Sequence, residues 1–275
     1  MKTALKLDIQ AQPDDESCGP TCLHSLYKYY GDEEVSLRAL STEIQRVVGG
    51  GTLIEILACH ALKRGYDATI YTYHLQMFDP TWFAADGLVH DAAEVSVRLG
   101  EQIKLKRTMP RLGVATRACR EFLRLGGQLK MEDLTPGLIQ RYLAQSIPIL
   151  TGLSSTYLYR ASREMSIAKV DDDVRGEPQG HFVMLLGYDD VKHEVLIADP
   201  LDENPPFHTA KYRISMDRLV NAILLGVLTH DANLLIVTPG KRRPRARARP
   251  SPTVKPRSKP KAGRRPPAPR TQGRT

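Results

Sequence analysis

Five consecutive apolar residues, Phe182-Val183-Met184-Leu185-Leu186, stand between His181 and Gly187. A short continuous run of this kind, bounded by turn residues, reads as a buried strand ending at Gly187. A second stretch, Glu194-Val195-Leu196-Ile197-Ala198, closes at Asp199-Pro200, and Tyr188 to His193 form a short polar connection between the two. Strands joined so closely form a hairpin, and a hairpin sets the start of one strand beside the end of the next. His181 and Asp199 are therefore expected to be neighbours.

The stretch Gln12-Pro13-Asp14-Asp15-Glu16-Ser17-Cys18-Gly19-Pro20-Thr21-Cys22-Leu23 carries the second signal. Pro13 and the acidic run keep residues 12–17 extended or turned, and Gly19-Pro20 opens a helix, where a proline costs no backbone hydrogen bond. Leu23, Leu26, Tyr27 and Tyr30 recur at helical spacing, and Gly31 is the stop. Cys18 thus falls at a helix N-terminus, where unpaired N–H groups and the helix dipole favour an anion and hence a thiolate. A nucleophilic thiolate needs a base, a group that orients the base, and a donor for the oxyanion. His181, Asp199 and Gln12 are the candidates.

The set Gln12, Cys18-Gly19-Pro20, Gly180-His181-Phe182-Val183 and Ala198-Asp199-Pro200 resembles the papain-like cysteine peptidases that process bacteriocin leaders at a double glycine. The resemblance spans roughly residues 8–238. It implies Cys18 as nucleophile, His181 as base, Asp199 as orienting residue and Gln12 as oxyanion donor, on a papain-like α+β fold with a helical N-terminal half packed on an antiparallel sheet. Ser17 stands where that family usually has an aspartate, and no transporter or ATPase segment follows. A peptide or protein is the substrate the resemblance implies, with no metal or organic cofactor.

Charge divides the chain in two. Of 39 Lys and Arg, 14 lie in residues 241–275 with no Asp or Glu, which leaves 25 against 31 acidic residues in 1–240 and a net charge of −6 there. The expectation is a folded domain over 1–240 and a disordered basic Pro/Arg/Lys-rich tail over 241–275, which cannot bury enough apolar surface to fold. Such a tail is either a solubilising segment or an electrostatic docking arm for nucleic acid or an acidic partner. The N-terminus has no apolar stretch of signal-peptide type, and no run approaches the length of a membrane span. A cytoplasmic protein with reduced cysteines (Cys18, Cys22, Cys59, Cys119) is the expectation. Cys22 lies one helical turn from Cys18, but no second Cys/His pair stands at ligand spacing, so no metal site is expected.

Elsewhere, Leu5 to Ile9 alternates as a strand feeding the nucleophile loop. Ser36 caps a helix running to Val47, and Thr52 to Glu55 has the pattern of a capping box. Residues 68–73 form a strand, Val95 to Lys106 and Ala115 to Leu125 are helical, and Thr135-Pro136 opens a further helix. Ile147 to Leu153 is a strand beside the His181 strand, and its Pro148 points to an edge or a bulge. Met216 to Val227 reads as a helix and Asn233 to Val237 as a closing strand. The aromatic cluster at Phe78, Trp82 and Phe83 either lines a cleft or packs under a loop. The polar stretch 157–180 is either a lid or a surface insertion, and Asp171-Asp172-Asp173 reads as solvated carboxylates.

A cysteine peptidase is the leading functional reading. Two alternatives use the same residues. In an acyltransferase an amine replaces water as acceptor, and in a non-catalytic peptide-binding module the tail docks on nucleic acid.

Overall fold

A strand that is apolar at every position has to be covered on both faces, and the long strand at the centre of this molecule is. The structure, a computed structural model, describes residues 2–47, 50–106, 110–165 and 168–240. The basic tail proposed at 241–275 lies outside the described residues. The sheet has the strand order β3 (Gln128–Lys130), β2 (Tyr66–Thr72), β10 (Asn233–Pro239), β4 (Ile149–Ser154), β7 (Gly180–Asp189), β8 (Glu194–Ala198) and β9 (Lys211–Ser215), with β1 (Lys2–Ala4) added against β7. Every pairing is antiparallel except that of β2 with β3. Along one side of β7, β4 pairs with residues 180–185 and β1 with 187–189, while β8 runs along the other.

Phe182, Met184 and Leu186 enter one apolar core, and the alternate residues Val183 and Leu185 enter a second. The first core is built with α1 (Cys18–Tyr29), α2 (Leu37–Glu43), α3 (Ile54–Lys63), α4 (Ala92–Leu105) and α5 (Pro110–Arg124). The second is built with α6 (Pro136–Leu143), α7 (Ser155–Tyr159) and α8 (Met216–Leu225). The α+β expectation holds, with the N-terminal helices packed on an antiparallel sheet. The second helical layer, on the opposite face, comes from the later helices. Among the described residues, no helix is long and apolar enough to cross a membrane.

Several local expectations are corrected. Leu5 to Ile9 alternates in burial, with Leu7 1% exposed, yet the ladder lies earlier, at β1, and ends at the bond from Leu5 N–H to Leu186 O. Thr52 does not cap α3. Its hydroxyl donates to Gln45 O, Leu53 holds the N-cap position, and Glu55 is buried with its carboxylate on its own backbone N–H. Pro148 does not mark an edge, because it precedes β4, which lies in the sheet between β10 and β7. Residues 155–180 contain α7 and a small ribbon of β5 (Glu164–Met165) with β6 (Val170–Asp171). Asp172 is tied into the turn that follows β6 by Val174 N–H, Arg175 N–H and the Arg175 side chain. Phe78 is buried in the first core with Trp82 and Phe83 packed against it, so the aromatic cluster is packing.

The His181 strand does not stop at Gly187. It shifts register against β8 between Leu185 and Gly187 and continues to Asp189. A Cβ on Gly187 would lie 2.1 Å from Thr3 O, so only glycine lets β1 approach. Gly187→Ala is expected to lower unfolding stability by roughly 1–3 kcal/mol through forced separation of β1 and β7, measured as a shift in the urea midpoint at unchanged slope.

Candidate active site

Cys18 is the first residue of α1, and Pro20 stands in the first turn where no backbone donor is lost. Ser17, fully buried, precedes it. Its hydroxyl makes no helix cap; it donates instead to Asp14 Oδ1 at 2.7 Å. Arg46 closes the same corner, reaching Asp14 Oδ2 at 2.7 Å and Glu16 Oε2 at 3.1 Å. The acidic run before the cysteine is therefore a structured turn. The start of α1 is pressed against β7: the Cys22 thiol donates to Phe182 O at 3.3 Å, and a Cβ on Gly19 would sit 3.2 Å from the Phe182 ring and 2.7 Å from the Thr52 methyl. Gly19 and Cys22 thus serve the close approach that brings Cys18 to the end of the strand bearing His181.

His181 is 7% exposed and donates through Nε2 to Asp199 Oδ1 at 2.8 Å. That leaves Nδ1 as the second ring nitrogen, and the ring has a hydrogen-bond interaction with the Cys18 side chain. Burial pulls the imidazole down. The Asp199 charge, its hydrogen bond and the Cys18 side chain outweigh that and raise His181 to about 10. The ring is accordingly held as imidazolium across the neutral range. Burial pushes Asp199 up, but the His181 charge and the surrounding donors hold it below the ordinary carboxylate range.

Asp199 has no exposed surface and its carboxylate is fully satisfied. Besides His181, Leu201 N–H donates to Oδ1 at 2.9 Å, while Tyr159 and Tyr212 donate their hydroxyls to Oδ2 at 2.7 Å and 2.6 Å. Sequence reasoning found His181 and Asp199 but missed both tyrosines. Nothing local marks them, since Tyr159 ends α7 and Tyr212 is one of the two buried residues on β9.

The fourth predicted residue is placed less simply. Gln12 is held by its backbone N–H on Pro200 O at 2.8 Å, which anchors its loop beside Asp199. Its side-chain Nε2 donates one hydrogen to Asp14 O at 3.0 Å, and its Oε1 is buried without a partner. The second amide hydrogen is not used by that bond.

Two further carboxylates lie close by. A Cβ on Gly180, the residue before His181, would fall 1.8 Å from Asp231 Oδ2, so glycine is required there. Burial raises Asp231 to about 7, and it raises Glu55, which also faces Asp231, to about 7. No described group of three or more His, Cys, Asp or Glu is arranged to hold a metal ion.

The arrangement sets a helix-borne cysteine against a strand-borne histidine. Residues 135–218, a segment containing His181 and Asp199 but not Cys18 or Gln12, match the Peptidase_C39 like family. Solved structures similar to the chain include a protein described as a C39-like peptidase from Bacillus anthracis, 13% identical with a TM-score of 0.47, covering 86% of this chain and 98% of that one. The peptidase domain of Streptococcus ComA, a bifunctional ABC transporter involved in a quorum-sensing pathway, is 14% identical with a TM-score of 0.39, covering 85% and 99%. Xylellain, a cysteine protease from Xylella fastidiosa, is 13% identical with a TM-score of 0.36, covering 86% and 85%. No curated protein gives a match.

Tyr159→Phe and Tyr212→Phe each remove one donor from a buried anion and are expected to cost roughly 2 kcal/mol of unfolding stability apiece, read by urea titration. The raised carboxylates act in the opposite direction on the pH axis. A folded value of about 7, against 3.8 for Asp231 and 4.5 for Glu55 in the unfolded chain, contributes stability at acid pH that is lost as pH rises to about 7. Asp231→Asn should therefore flatten the decline in stability between about pH 4 and 7, by on the order of 4 kcal/mol, in melts followed across that range.

Proposed function

We propose that this chain is a cysteine peptidase in which Cys18, His181, Asp199 and Gln12 carry the reaction. The observation that supports it most directly is the buried His181–Asp199 pair with its ring hydrogen-bonded to the Cys18 side chain at the start of α1. Resemblance of residues 135–218 to C39-like peptidases is consistent with it.

In this reading Cys18 Sγ, as the thiolate, attacks the carbonyl carbon of a peptide bond. The tetrahedral oxyanion is met by the Cys18 backbone N–H, which has no acceptor within the helix, and by the spare amide hydrogen of Gln12. His181, already imidazolium, delivers its Nδ1 proton to the departing amine nitrogen. The C–N bond breaks and an acyl thioester remains on Cys18. Water then attacks the thioester carbon, giving its proton to His181, and the carboxylic acid product leaves as the C–S bond breaks. Asp199 keeps the ring oriented throughout through Nε2, and the two tyrosines keep Asp199 ionised. Cys22 takes no part. Burial drives its thiol well above the usual range, and its hydrogen is given to Phe182 O.

The four thiols supply an internal comparison. Burial pushes Cys59 up to about 12 and holds Cys119 and Cys22 well above the ordinary thiol range. Brief treatment with iodoacetamide near pH 6.5 should therefore label Cys18 ahead of the other three, and His181→Ala should slow labelling at Cys18 by at least ~10-fold. Mass-spectrometric mapping of the modified cysteine reads both effects. Equal labelling of Cys18 and Cys59 in the wild-type protein would sink the proposal. Cys18→Ala should abolish hydrolysis of any peptide the wild type cleaves, with product mass distinguishing release to water from transfer to an added amine.

A further inference from the structure

Between α7, β9 and α8 lies an open cavity of about 510 Å3 whose lining includes Tyr157, Arg160, Phe207, Arg213, Arg218 and Asn221. The three guanidiniums come from three different elements. Arg160 is the left-handed residue that ends α7, Arg213 lies on β9, and Arg218 on the first turns of α8. None of the three forms an ion pair with a carboxylate among the described residues, although Asp217 also borders the cavity. This is unusual placement in a body that carries 31 acidic against 25 basic residues over 1–240, where acidic partners are plentiful.

Donor capacity is left open as well. Arg213 Nη1 and Arg218 Nε are both buried without a hydrogen-bond partner, and the one bond formed by an Arg218 terminal nitrogen goes to Leu158 O. Burial, and the charge of Arg160 next to it, push Arg218 down. A guanidinium offers its donors in a planar fork that matches the oxygens of carboxylate and phosphate. Three arginines bordering one cavity without an ion-pair partner are what such a group would neutralise.

We propose that this cavity is a binding site for an anionic, oxygen-bearing group, a carboxylate or a phosphate, held by Arg160, Arg213 and Arg218. Its inner wall connects it with Asp199. Phe207 stacks on Tyr212 at 3.8 Å between centroids with an interplanar angle of 6°, and Tyr212 is one of the two phenols bonded to Asp199. Anion binding here is independent of whether Cys18 acts as a nucleophile.

The test is equilibrium binding to the full chain at near-physiological salt, using a fluorescent Glu-rich peptide, its Gln counterpart and inorganic phosphate. The basic tail adds a salt-sensitive background shared by every variant, so the readout is the difference between variants. Wild type is expected to bind the Glu peptide or phosphate saturably, and Arg213→Gln or Arg160→Asn should weaken that binding tenfold or more. Asn221→Asp, which keeps all three arginines and places a carboxylate at the cavity, should abolish it. A Glu peptide bound in preference to phosphate identifies a carboxylate ligand, and the reverse preference identifies a phosphate. If all three variants melt as the wild type does and bind both probes with unchanged affinity, the site does not exist. The same conclusion follows if wild type binds the Gln peptide as well as the Glu peptide and does not bind phosphate.

Discussion

A carboxylate with no exposed surface has to be given back, by the protein, the hydrogen bonds it loses on leaving water. Asp199 receives four, and they arrive from separate parts of the chain: His181 at the start of β7, Tyr159 at the end of α7, Tyr212 on β9, and the N–H of Leu201 in the following loop. One buried charge therefore fixes the relative position of two strands, a short helix and a loop. Any displacement of these elements leaves an anion unpaired in a low-dielectric interior. That cost is what gives the His181 ring a single orientation.

The cysteine is delivered to this pair by different physics. Cys18 meets the sheet through the His181 ring, and its helix is brought up by close packing. Gly19 admits Phe182, Leu57 and Thr52 within van der Waals distance, and Cys22 spends its thiol on the carbonyl of Phe182. The two halves of the site also belong to different layers. Cys18 sits with the first core, whereas His181 shares its strand parity with Val183 and Leu185, which face the second. The site lies where the layers meet, at the end of the strand common to both.

Much of this was readable in the residues. The helix start at Cys18, the Thr135 cap of α6, the Ser36 cap of α2 and the hairpin joining β7 to β8 all follow from local patterns. Errors fell where a tertiary demand overrode a local one. Thr52 and Glu55 have the spacing of a capping box, but the space beside Gly19 and Asp231 claimed both side chains. Gly187 looked like a strand terminus because glycine usually punctuates, yet here it serves the approach of β1.

Gln12 illustrates the same limit within the site. Its distance from Cys18 along the chain marks it as a donor, but its loop is shaped by the Asp14, Ser17 and Arg46 bonds, and Arg46 lies too far off in sequence to be read as their partner. The residues alone marked the helix start at Cys18, the strand that begins near His181 and the one that ends before Asp199, because these depend on periodicity, caps and turns within short stretches. Only the tertiary structure decided that Tyr159 and Tyr212 complete the carboxylate shell, that Asp231 underlies Gly180, and that three arginines share one cavity. Those contacts join residues far apart in the chain, and their energy comes from burial, which no local pattern records.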